Sequence, residues 1–249
     1  MKISQYHQFG QDQGTMVYGS VVDQVFASET HKKIEYHKNK AVFASTNRPT
    51  LELNLDVVKA AADTYKISSD INDYILVPLP IVTSDIPNRN LQTFPHLELS
   101  YFAPEHGNFV YQTFVGKALF ADHVNQDPTK SRGVIVDASY QYIPKYDVWK
   151  IMCVTLWDRT KDPKLAQDIL NRKRTGYSMG SMVNTFLCSI CGKVDNQDAH
   201  SCEHMRSKGR LFGEDQRLAY QMMVGCTFFE ISSVADPADP TALSQDVFA

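Results

Sequence analysis

No stretch of this chain holds the roughly 20 consecutive apolar residues that a helix needs to span a bilayer. The polar opening Met1-Lys2-Ile3-Ser4-Gln5-Tyr6-His7 likewise offers no signal-peptide core, so the protein is expected to stay in the compartment where it is made. Excess charge is missing too. At a net charge of −3, with no basic cluster able to grip phosphates, the chain has no bulk attraction for nucleic acid or an anionic membrane. Only five cysteines are present, an odd number with three of them clustered, which fits a reducing cytoplasm and excludes a dense secreted disulfide framework. Internal repeats, low-complexity tracts and a clean linker are absent. The 249 residues, 43% of them hydrophobic, therefore read as a single domain spanning 1–249 with enough apolar material for a full core.

What is present is mostly strand-like. The first fifty residues alternate weakly around Gly10, Gly14 and Gly19 and read as short strands and loops. From 55 to 66 the positions Leu55, Val58, Ala61, Ala62 and Tyr65 recur at helical spacing. Residues 74–82 are apolar but interrupted by Pro78 and Pro80, the signature of an edge strand. A loop rich in Asn, Asp and Pro follows over 84–95. Three β-branched and aromatic runs, 109–120, 133–142 and 148–157, are expected to be core strands, and the turns at 125–128 and 144–147 punctuate them as an antiparallel meander. Asp162 and Pro163 supply an N-cap and a first-turn proline for a helix running to about Lys173. Residues 175–183 are expected to be a strand, 214–224 a helix and 226–234 extended.

Cys188-Ser189-Ile190-Cys191 and Cys202-Glu203-His204 have metal-ligand character. A Cys-x-x-Cys pair lets one tight turn aim two sulfurs at a single ion, and the second pair closes a tetrahedral Zn site from a loop. His200 competes with His204 as the fourth ligand. The intervening residues 192–199 are polar and turn-forming, as expected of a knuckle held by metal instead of a core. The expectation is a zinc-knuckle-like insertion over 186–210. Four protein ligands leave no position for water, so the ion is structural and catalysis needs no cofactor.

Ten residues before this cluster, Ser178 stands between Gly176 and Gly180. Small neighbours let a backbone approach a substrate carbonyl, so N–H groups at Met179 and Gly180 are candidate oxyanion donors. A serine hydroxyl needs a base within hydrogen-bond reach and a third group to orient that base. His123, where an apolar strand gives way to a polar turn, is the best-placed base among the eight histidines. The third member is open between Glu230 and Asp137. Each carboxylate interrupts an apolar strand, where an unpaired charge is costly to bury. Glu230 is favoured because the run around it is aromatic on one side and β-branched on the other, which argues against a chance surface position.

The segments at 114–125 (ending Asp122-His123-Val124-Asn125), 132–138, 158–163, Tyr177-Ser178-Met179-Gly180, Cys188-Ser189-Ile190-Cys191-Gly192 and Phe229-Glu230-Ile231-Ser232 resemble, in order, the prohead core proteases of tailed bacteriophages. The resemblance runs from about Asn88 to Ala242. That family is similar to the herpesvirus assemblins, which implies an α+β fold built as a mostly antiparallel β-barrel surrounded by helices. It places the nucleophile on Ser178 and the base on His123. Assemblins use a second histidine as third residue, but His200 and His204 are also metal candidates, and Glu230 remains the choice. The family often has proline where Ala118 stands. The resemblance further implies a serine endopeptidase acting inside the prohead, assembled in the host bacterial cytoplasm, with scaffold and capsid proteins as substrates, autoprocessing that makes Ala249 a candidate trimmed end, and a possible homodimer. A non-enzymatic, zinc-stabilised protein that binds capsid or scaffold chains through a sheet edge is the alternative.

Overall fold

The long β-branched runs of the middle and end of the chain form one mixed sheet. A computed structural model describes residues 55–195 and 202–244; the strands and loops expected in the first fifty residues, and His200, lie outside the described residues. In chain order the elements are α1 (Leu55–Tyr65), β1 (Tyr74–Thr83), β2 (Gln92–Thr93), α2 (His96–Leu99), β3 (Phe102–Ala103), β4 (Asn108–Phe109), a 3-10 turn (Val110–Phe114) and β5 (Ala118–Ala121). Then come β6 (Gly133–Ile143), β7 (Val148–Asp158), α3 (Pro163–Leu170), β8 (Gly176–Cys188), β9 (Val194–Asp195), α4 (Glu203–Arg206), β10 (Leu211–Phe212), β11 (Arg217–Leu218) and β12 (Gln221–Val234). Strands outnumber helices and the class is α+β. No helix among the described residues is long and apolar enough to cross a membrane.

The eight-stranded sheet runs β1-β7-β6-β5-β12-β8-β9, with β2 also on β12. Neighbours are antiparallel except β5 and β2, which both run parallel to β12 along the same edge. Between those two short strands the N–H groups of β12 would be left without a ladder. Side chains take over: Cys226 N–H donates to Glu98 Oε1 at 2.7 Å and Phe228 N–H to Thr113 Oγ1 at 3.0 Å.

The sheet buries both faces. On one lies the main core, where Phe114 stacks on Phe228 with ring centroids 4.2 Å apart and Trp157, Tyr111 and Tyr140 are fully enclosed. On the other, α1 sets Val58 and Ala61 against Val134, Val136, Val154 and Leu156. The register carries that second face across the molecule as one row: Leu76, Leu156, Val134, Ala118, Glu230 and Gly180 stand opposite one another on successive strands. Opposed residues share a face. The row thus begins as apolar floor beneath α1 and ends, beyond the helix, in a carboxylate.

A closed barrel is not shown. Among the described residues β1 has no ladder on its outer side, apart from a single bridge just past its end between Ser84 and Phe94, and the sheet is open between β1 and β8. Residues 235–244 cross one end of this seam as a strap. Asp239 ties the strap to β1 and β7 by accepting from Thr83 N–H (3.1 Å), Thr83 Oγ1 (2.7 Å) and the buried Lys150 ammonium (3.5 Å). Its far end pairs with β8, where Tyr177 N–H donates to Ala242 O and Ser244 N–H to Thr175 O, both at 2.9 Å.

Several expectations need correction. The run 109–120 is not one strand: Phe109 N–H bonds Gln112 Oε1, Thr113 Oγ1 bonds Val110 O, and Gly116 at φ +79° turns the chain. This winding puts Val110, Tyr111 and Phe114 all into the main core, which an alternating strand cannot do. Residues 214–224 are not helical either. Gly213 (φ +75°) and Gln216 (φ +50°) make the turn between β10 and β11, and the following residues 219–223 are buried at every position because β12 is covered on both faces. The 84–95 loop contains β2. The helix opened by Asp162, whose side chain accepts from Leu165 N–H, stops at Leu170, and β8 continues five residues past 183.

Candidate active site and metal centre

The seam between β1 and β8 is a cavity of about 550 Å³. Ile81, Val82 and Thr83 of β1 wall one side and residues 177–181 of β8 the other; His123 and Phe229 also line it, with Asp239 and Thr241 of the strap. Ser178 and His123 therefore face a common space. Among the described residues no direct hydrogen bond joins the Ser178 hydroxyl to the His123 ring. Catalytic contacts of this type commonly tighten only when substrate is bound.

His123 is the second residue beyond β5. It and Asp122 both occupy left-handed backbone, at φ +56° and +51°, a conformation that asparagine, aspartate and histidine tolerate better than most but that still requires support. The turn is held by Asp122 N–H donating to Ser233 O (3.0 Å), by His123 N–H donating to Ser232 Oγ (3.2 Å), and by Arg174, which donates to Asp122 Oδ1 (2.6 Å) and Ser233 O (2.8 Å). So placed, the imidazole sets Nδ1 2.7 Å from Glu230 Oε1. Glu230 is wholly buried while 41% of the His123 side chain is accessible, so the pair has one closed end and one open end. A carboxylate only accepts, hence Nδ1 carries a proton and, in the neutral ring, Nε2 presents a lone pair. The hydrogen bond to Glu230 raises the His123 pKa above the ordinary imidazole value, opposed by partial burial and assisted by the charges of Glu230 and Asp122.

Ser178 lies opposite Ser232 in the β8–β12 ladder, on the face that carries Glu230. Tyr177 N–H points away from β12, to the strap. Alternation along β8 therefore turns Met179 N–H to the outer edge, unpaired there among the described residues, and Gly180 N–H toward β12. Gly180 serves the site by its bareness: a Cβ there would stand 2.8 Å from Glu230 Oε1 and 2.5 Å from the Phe229 ring. Asp137 sits on β6, where its own Oδ1 accepts from Ala138 N–H at 2.9 Å, and it does not line the cavity. Ser232 and Arg174 were not singled out as site residues from the sequence. The signal for Ser232 was its spacing, two residues beyond a buried carboxylate on the same strand face; for Arg174 there was none.

At the other end of β8, ligand atoms of Cys188, Cys191, Cys202 and His204 all lie within 4.8 Å of one another. Donors around a tetrahedral zinc are roughly 3.4 to 3.8 Å apart for bonds of 2.1 to 2.3 Å, so the cluster needs only slight contraction. Cys188 Sγ accepts from Ile190 N–H (3.4 Å) and Cys191 N–H (3.5 Å), which turns the chain so that both sulfurs converge. His204 Nδ1 is buried without a hydrogen-bond partner among the described residues, a state suited to a ligand nitrogen. These four residues are close enough to bind a metal ion. Comparison with protein-family models, with curated proteins and with solved structures finds nothing that matches the chain.

Proposed function

We propose that the chain is a serine endopeptidase with Ser178 as nucleophile, His123 as general base and Glu230 as the group that orients the base. The observation that carries this reading is the 2.7 Å bond from His123 Nδ1 to the fully buried Glu230, which leaves Nε2 free of that bond on a residue that lines the same cavity as Ser178. In the proposed reaction Nε2 takes the hydroxyl proton as Oγ attacks a peptide carbonyl. The imidazolium, stabilised by Glu230, then gives that proton to the leaving amine, and water activated by the same histidine releases the acyl group. Met179 N–H, on the open edge beside Ser178, is the better placed of the two backbone donors for the oxyanion. Past Met179 the outer edge of β8 has no ladder among the described residues, which suits an extended peptide adding as a further strand with its scissile bond beside Ser178.

Zinc is the proposed ion of the Cys3His cluster, with a structural role, since three thiolates and an imidazole complete a tetrahedron. The substrates, scaffold and other head proteins inside a phage prohead, follow from the resemblance to prohead core proteases alone. Ser178→Ala and His123→Ala are expected to lower cleavage of such precursors by at least about a thousandfold with unchanged melting; retained cleavage in either variant rejects the assignment. The open β8 edge equally supports a second reading, a zinc-stabilised assembly protein that binds scaffold chains without cutting them. Covalent labelling of Ser178 by a fluorophosphonate separates the two.

A further inference from the structure

Beyond the three residues proposed for the chemistry, the same face of β12 carries a fourth polar side chain. Ser232 follows Glu230 by two residues, so both leave the strand in one direction, and Ser232 is completely buried. A buried hydroxyl has one proton to give, and a serine in a strand can satisfy itself on nearby backbone. Ser232 instead donates to Glu230 Oε2 at 2.7 Å and accepts from His123 N–H at 3.2 Å. The circuit then closes through His123 Nδ1 and Glu230 Oε1 at 2.7 Å. Histidine ring, histidine backbone and both carboxylate oxygens are thereby fixed in a single loop of three hydrogen bonds.

That loop answers a mechanical need. Two successive residues in left-handed backbone relax unless they are held, and relaxation at His123 would swing its ring off the carboxylate. Arg174 braces Asp122, the residue before, whereas Ser232 alone among the described residues grips His123 itself and Glu230 together. Ser232 also stands directly opposite Ser178 in the ladder, so a shift at one is felt beside the other.

We infer that Ser232 is the positioning residue of this site, its hydroxyl coupling the backbone of the base to the carboxylate that orients it. The effect on turnover rests on the protease reading; the effect on the histidine does not. The test is Ser232→Ala in the full chain, followed by imidazole proton–nitrogen NMR across pH and by peptide-hydrolysis kinetics. The His123 titration midpoint is expected to fall toward the free-imidazole value of about 6.5, and the downfield Nδ1 proton to broaden. Turnover is expected to fall about tenfold or more with KM within twofold, the acid limb moving to lower pH. An unchanged or higher midpoint with an intact Nδ1 signal overturns the inference whatever the kinetics show. Should the unsubstituted protein hydrolyse nothing, the protease reading falls while the NMR measurement still decides the role of Ser232. Ser232→Cys, close in volume with a weak donor, answers the same question if the alanine variant does not fold.

Discussion

The two ends of β8 carry chemistry assembled in opposite ways. At the Cys188 end, all four donors come from seventeen consecutive positions, 188–204, and converge through a local turn and a single helical turn. At the Ser178 end, nothing local is sufficient: His123 arrives from the turn after β5 and Glu230 from β12, brought beside Ser178 because β12 lies between β5 and β8. The first kind of site is specified by spacing, the second by strand order. It follows that the metal end should respond to changes in its own ligands and the serine end to anything that moves β12.

The largest break in this comparison is Glu230→Gln. With Ser232 drawing the amide oxygen, the Gln NH2 would face Nδ1 as a donor and should cut turnover by about a thousandfold, since the wrong tautomer can then present itself to Ser178. The sign of the pH effect follows from the raised His123 pKa: the base works only when neutral, so the acid limb of kcat/KM lies above about 6.5 and should move down in the Gln variant. Asp137→Asn, off the cavity, should leave both rate and limb in place. Next in size, Cys188→Ser or treatment with a chelator should remove one zinc per chain, read by elemental analysis, and lower unfolding stability by several kcal/mol as structural zinc sites do. Turnover at saturating substrate should change only by a factor of a few, because ten strand residues, about 30 Å, separate the two ends. A smaller effect is expected from Gly180→Ala. The half-exposed Phe229 ring can turn aside, but the buried Glu230 carboxylate cannot, so a loss of about 1–3 kcal/mol by calorimetry and a roughly tenfold fall in rate are expected.

Legibility in the sequence divides along the same line. The Cys-x-x-Cys and Cys-x-His pairs, the long runs that became β6 and β7, the proline-broken edge strand β1 and the Asp162 cap are all written in neighbouring residues, and all appear where spacing put them. The stretches misread are those where tertiary contacts choose between local options. Phe109–Phe120 is strand-like by composition, yet the demand for three of its large side chains on one core face winds it into a 3-10 turn. Residues 219–223 mimic helical periodicity because they are buried at every position, Gln221 included, which no alternating pattern marks as strand. Glu230 and Asp137 show the limit most clearly. Each sits at a register shift in an apolar strand, and alternation treats them alike. What distinguishes them is that β12 is the neighbour of both β5 and β8, and no local pattern encodes adjacency. That Gly180 must be small is legible, but its neighbours are not: a Cβ there would meet the Phe229 ring and the Glu230 carboxylate.

The central position of β12 also has a consequence in time. A nascent chain leaves the ribosome with His123 and Ser178 well ahead of Glu230, and the strands bearing the first two are not joined until residues 221–234 insert between them. Synthesis therefore delivers Ser178 and His123 apart from each other, and the proposed site cannot assemble before β12 has been made.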